Sequence, residues 1–143
     1  MGIESATETG LKTAFQAFTN GLDIEDRPAY RCFWLDDESA QDTEPREYPL
    51  VQITAAPNFP THHKATFRDV PVEVKFATHR NVDRKRAKLR ALYEGCRAII
   101  DTESTIAVSG YNVIGVRIEQ GESGVDENEQ FITLPLLVKL CGA

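Results

Sequence analysis

The chain has 143 residues, 41% of them hydrophobic and 27% charged, with 16 Lys plus Arg against 22 Asp plus Glu. A length of this order supports one globular domain that buries roughly two thirds of its unfolded surface, and excludes an enzyme with separate cofactor and substrate lobes. A formal net charge of -6 argues against a stable nucleic-acid clamp, which needs clustered cations for its phosphate contacts.

The N-terminal run MGIESATETG lacks the basic start and apolar core of a secretory signal, and Ala6 stands where a myristoylation start needs Ser or Thr. No stretch approaches about 18 consecutive apolar residues, so no membrane span is expected. From Ser5 to Leu22 the apolar positions Leu11, Ala14, Phe15, Phe18 and Leu22 repeat with helical spacing. This predicts a first amphipathic helix, capped by a Ser5–Glu8 box and stopped at Asn20-Gly21.

A long polar connection from Asp23 to Glu47 follows, expected as an acidic hairpin because Arg31–Leu35 is apolar enough for a short strand. Strands are expected where apolar residues alternate: at Val51, Ile53 and Ala55, at Val70, Val72, Val74 and Phe76, at Ile114, Val116 and Ile118, and from Ile132 to Leu140. Between the second and third of these, Leu89, Leu92, Cys96 and Ile99 mark a second helix that begins near Asn81 or Asp83. Pro71 and Pro135 fall inside the two longest strands, and since proline cannot donate a ladder hydrogen bond, those positions are expected at sheet edges or bulges. The segment from Glu119 to Gln130 is expected as a mobile acidic loop.

The fold class is therefore α+β: an antiparallel or mixed sheet of four to five strands, with both helices on one face and the other face open to water. The whole chain, 1–143, is expected as one domain.

No catalytic chemistry is legible. His62, His63 and His79 have no accompanying carboxylate in metal-site spacing, Cys96 lies on an apolar helix stripe, and the Asp36-Asp37-Glu38 run lacks the spacing of a calcium loop. Phosphate-binding glycine motifs are absent, and the three cysteines fit free thiols. No cofactor or metal is expected.

Charge segregation does rise above background. Residues 80–97 carry seven basic side chains against Asp83 and Glu94, residues 22–47 carry nine acidic against three basic, and residues 118–130 carry five acidic and none basic. A basic helix of this kind can bind DNA, face solvent, or meet acidic loops of another subunit.

The order of elements (amphipathic helix, long hairpin, YPLVQITAAP, FRDVPVEVKFAT, NVDRKRAKLRALYEGCRAI, and a closing hairpin ending LPLLVKL) resembles the lambda-type tail terminator proteins of long-tailed bacteriophages. The resemblance covers essentially the whole chain and lies in element order and length. It implies a homohexameric ring, without enzyme activity, that caps the tail tube, stops its polymerisation and joins tail to head. A neck or head-completion protein is the neighbouring reading, and a small DNA-binding protein using residues 80–97 the more distant one.

The partners so implied are further copies of the chain, the major tail tube protein, the head-completion protein and the tape measure protein. Double-stranded DNA would pass through without specific binding, in a virion assembled in the bacterial cytoplasm. Arg80, Arg84, Lys85 and Lys88 are expected to face Asp36, Asp37 and Glu38 of a neighbouring subunit. Glu122, Asp126, Glu127 and Glu129 are expected to contact the tube or neck. The polar alternates Glu73, Lys75, Arg117 and Glu119 are expected to line the channel.

Overall fold

The computed structural model describes residues 2–34, 47–60, 67–101 and 106–142. Helix α1 (Ile3–Thr19) is set by the buried stripe Leu11, Ala14 and Phe15, and ends at Asn20, whose N–H bonds back to the Gln16 carbonyl, while the Gly21 N–H bonds to the Phe18 carbonyl. Its start differs from expectation: Gly2 is the N-cap and supplies no side-chain bond. Glu8, fully buried, turns inward and accepts the backbone N–H of Trp34 at 2.8 Å and of Ala55 at 2.9 Å. The carboxylate thus ties α1 to the sheet.

A single 3-10 turn (Ile24–Asp26) leads into β1 (Ala29–Cys32), which pairs in parallel with β2 (Leu50–Ala55). A parallel pair requires a crossover, so β1 does not fold back on β2 as a simple hairpin. The acidic tip expected there, residues 36–38, lies outside the described residues.

After the short β3 (Phe59–Pro60) comes β4 (Phe67–His79), then helix α2 (Ala87–Asp101), β5 (Tyr111–Ile118), β6 (Ser123–Asp126) and β7 (Glu129–Gly142). Among the described residues the sheet has seven strands, not four to five, in the order β1-β2-β4-β7-β5, with β3 added beside β4 and β6 beside β7. The extra strands are short ones that alternation cannot mark: β3 spans two residues and β6 four. Apart from β1–β2, every pairing is antiparallel.

Both prolines lie in the two central strands, which corrects the expectation of edges or bulges. Beside β4, β2 pairs with residues 72–77 and β3 with 68–69, so Pro71 sits where the flanking strand breaks. Its carbonyl still accepts the Ala56 N–H at 2.8 Å. Beside β7, β5 pairs with residues 136–142 and β6 with 129–132, so Pro135 sits in the matching break and accepts the Glu119 N–H at 2.9 Å. In an antiparallel strand a residue's N–H and C=O point the same way, so each missing donor faces a gap and no ladder bond is lost.

One face of the sheet carries the core. Val51, Ile53, Val70, Val74, Phe76, Leu134, Val138 and Leu140 meet Leu11, Phe15, Leu89, Cys96 and Ile100 from the helices. Phe76 stands edge-on to both Phe15 and Tyr93, with centroids 6.2 and 5.8 Å apart. The helices approach closely because Gly95 accepts the Phe18 ring, where a Cβ would lie 2.2 Å from it.

In β5 a bulge between Val113 and Gly115 shifts the register, so Val113, Val116 and Ile118 take the core side while Ile114 turns out and is 52% exposed. The regular alternation expected at Ile114, Val116 and Ile118 therefore fails at its first member, because an inserted residue reverses the side on which its neighbours fall.

Candidate assembly interface

The open face of the sheet presents the alternates of β4, β7 and β5. Glu73 is exposed, while Lys75 binds Glu129 at 2.5 Å and places its ammonium 5.2 Å above the Phe131 ring. Arg117 forks onto Glu119 Oε1 at 2.9 and 2.7 Å. Of the four expected channel residues, three are thus neutralised by a partner within the same chain, which leaves the face of mixed sign.

Glu129 does not behave as a loop carboxylate. It is 7% exposed, opens β7, and accepts both Lys75 and the Tyr48 hydroxyl, the latter at 2.5 Å. Asp126 and Glu127 are exposed on the β6–β7 hairpin and not on an unstructured loop, while exposed Glu122 lies in the connection just before β6. Glu127 takes the left-handed conformation (φ 56°) in its turn, and the Glu122 N–H bonds to Thr133 Oγ1 at 2.7 Å.

On the helix side, the loop before α2 is built around Asp83. This side chain, 6% exposed, accepts the Lys88 N–H at 3.1 Å, the Leu89 N–H at 3.0 Å and the Thr78 hydroxyl at 3.1 Å. It fixes α2, which starts at Ala87 and not at residues 81–83. Lys88 binds Asp26 of its own chain at 3.1 Å, and this hydrogen-bonded carboxylate raises the Lys88 pKa above its ordinary value. Arg80, Arg84 and Lys85 point to solvent around Val82, which is 73% exposed. The structure therefore brings the basic residues together but pairs the exposed Lys88 with Asp26 of its own chain, and the carboxylates expected to meet them, Asp36, Asp37 and Glu38, lie outside the described residues.

Cys96 is fully buried, and burial pushes its thiol up to about 12. His79 stacks edge-on with Tyr48 at 5.8 Å, while His62 and His63 lie outside the described residues.

The helix layer is narrower than the sheet. Helices about 10 Å across cover roughly two strands each at 4.8 Å spacing. Here α1 packs on β1, β2 and β4, and α2 on β4 and β7. No residue of β5 is fully buried. Beside α2 this leaves an open pocket of about 540 Å³, with Ile118, Ile132 and Leu134 as its apolar part, Tyr93 and Arg97 on one wall, and residues 119–123 on the other. A second, smaller pocket of about 250 Å³ lies between the helices at Phe18, Leu22 and Leu92.

No protein-family model matches the chain, and no curated protein matches it. Among solved structures, a chain of the virion of a native gene transfer agent (GTA) particle has the same fold, with a TM-score of 0.60 and 11% sequence identity, over 99% of this chain and 98% of that one.

Proposed function

We propose that this protein is a structural component of a phage-like virion, and specifically a tail terminator: a ring of identical subunits that caps the tail tube, halts its growth and offers the joining surface to the head. The observation that carries this reading is the likeness to a chain of a virion particle, which runs over 99% of this chain and 98% of that one. The element order in the sequence points to the same class. A neck or head-completion role draws on the same likeness and differs only in the partner. In either role the chain works by shape, without a reacting group or a cofactor.

The open sheet face suits a channel lining, since Lys75–Glu129 and Arg117–Glu119 cancel much of its charge. A strongly basic bore would hold passing DNA through phosphate contacts, whereas a neutralised one lets it slide. The test is reconstitution: purified protein is added to growing tubes of the cognate tail tube protein, and lengths are read by electron microscopy. A terminator stops growth and appears as a ring at tube ends. Tubes that grow at the same rate and stay uncapped refute it, and binding to head connectors alone selects the neck role. DNA affinity that falls steeply with salt would instead select the DNA-binding reading.

A further inference from the structure

We infer that His79 is a proton-operated latch on the basic loop before α2: the neutral ring holds the loop, and the protonated ring releases it and turns toward the carboxylates of the β6–β7 hairpin. The inference is independent of the ring reading above. Residues 80–86 are wound on this one residue. The His79 carbonyl accepts the N–H groups of Val82 at 3.1 Å and of Asp83 at 3.0 Å, while its Nδ1 accepts the Asn81 N–H at 3.2 Å. A backbone N–H can only donate, so Nδ1 is the bare nitrogen of the ring and the proton sits on Nε2. The other anchors are the Arg80 N–H on the Asn128 carbonyl at 2.7 Å, the Asp83 carboxylate at the start of α2, and Gln130, which joins the Asp83 carbonyl to Arg86. Amides and carboxylates ordinarily keep one protonation state between about pH 5 and 8, whereas imidazole changes its charge within that range. Among the described residues, His79 is thus the anchor of this loop that a proton can undo.

Protonation sets a second N–H against the Asn81 donor, so the contact is present above the titration and lost below it. The surroundings decide where the imidazolium goes. On one side His79 and Tyr48 share an open polar pocket of about 370 Å³ with Asp126, Glu127 and Glu129. Glu129 is engaged by Lys75 and the Tyr48 hydroxyl, but Asp126 and Glu127 are exposed and without an ion pair among the described residues. On the other side the space is about 60 Å³ and mixed in sign, with Glu25 and Asp83 beside Lys88, itself drawn onto Asp26. Arg80, the next residue, is exposed and adds repulsion on the loop side. Room and negative charge therefore both lie toward the hairpin. The loop so released displays Val82, 73% exposed, with Arg80, Arg84 and Lys85 in solvent around it. A loop held in one shape loses less entropy on contact than a loose one, so the latch sets how ready this surface is to bind.

Nitrogen-15 NMR of the intact labelled chain, titrated between about pH 5 and 8, tests the latch. The expected result at the upper end is a bare Nδ1 and a protonated Nε2 on His79. As the pH falls, the Asn81 amide resonance moves to its unbonded position with the midpoint of the His79 ring. Its hydrogen-exchange protection, corrected for the intrinsic rate, drops about five-fold. Two variants separate this from the other histidines, His62 and His63. In His79→Asn the side-chain oxygen stands in the place of Nδ1 and does not titrate, so Asn81 stays bonded throughout. His79→Phe keeps a ring against Tyr48 but removes the acceptor, so Asn81 is unbonded even at the upper end. A protonated Nδ1 there, an Asn81 amide that ignores the His79 midpoint, or a response that survives in His79→Asn overturns the inference. Should a variant fail to fold, the tautomer and the shared midpoint in the parent chain decide alone.

Discussion

Replacing Asp83 by alanine probes the link between a buried carboxylate and the surface it presents. Asp83 serves the second and third residues of α2, the two N–H groups that an N-cap side chain ordinarily satisfies. Loss of that cap costs about 1 kcal/mol. The consequences differ at its three partners. Lys88 is exposed, so water replaces the bond to its N–H, but Leu89 is 1% and Thr78 2% exposed, and each keeps a donor that water does not reach. A buried orphan of this kind costs about 1–3 kcal/mol, so the total is about 3 kcal/mol. For a domain of this length that corresponds to a fall in Tm of roughly 10 °C. Asp83→Asn keeps the shape and one acceptor oxygen and is expected to lose about 1 kcal/mol. Urea unfolding followed by circular dichroism measures both. A midpoint for Asp83→Ala within about 0.5 kcal/mol of the parent would refute the reasoning, since it would mean the side chain is not holding the start of the helix.

Four further outcomes are expected. Gly10→Ala should destabilise by about 2 kcal/mol in urea unfolding even though alanine is the better helix former, because its Cβ would lie 2.3 Å from the Ala107 carbonyl oxygen; a gain in stability contradicts the close approach. Glu8→Ala should cost about 3 kcal/mol by the same assay, as the Trp34 and Ala55 N–H groups lose their acceptor at the strand ends, and a neutral result would remove Glu8 as the tie. With a thiol reagent at pH 8, half-buried Cys141 should react in the native protein while Cys96 waits for denaturant. Burial pushes the Cys96 thiol up to about 12, so raising the pH to about 9 still leaves Cys96 silent; rapid reaction of all three cysteines refutes this. Pro135→Ala should change stability by less than about 1 kcal/mol, because the restored N–H faces the β5–β6 break, and a large loss would place it in a ladder.

The two helices and the four long alternating runs were legible because each buries one side over many residues, so periodicity accumulates. What escaped was set by single residues acting across the fold. Glu8 fits a capping box by spacing, yet burial against two strand ends, tens of residues away in sequence, decides its partner. Glu129 reads as one more acid in an acidic stretch, and only the register that brings Lys75 and Tyr48 to it makes it structural. The bulge in β5 inverts the expected side of Ile114 although each residue there is an ordinary strand former. Of the candidate site, charge segregation located the Arg80–Lys88 cluster, but sequence could not show that Lys88 folds back on Asp26 or that Asp83 turns inward and leaves the loop basic outside.

The prolines carry the most instructive reversal. Read singly, Pro71 and Pro135 argue for edges, because a central strand needs donors on both sides. In the sheet each faces a place where the flanking strand is itself interrupted, β2 giving way to β3 beside β4 and β5 giving way to β6 beside β7. The second break has a structural consequence. Where β5 leaves β7, the chain passes through Glu119–Glu122 before β6 begins, and Gly121 lets it run against the Thr133 carbonyl, where a Cβ would lie 2.1 Å away. That detour forms the outer wall of the pocket beside α2. A continuous strand there would have extended the ladder and left no connection to stand as a wall. The residue that looked like a sign of an open edge therefore marks the point where the sheet departs from regularity to shape the pocket beside α2.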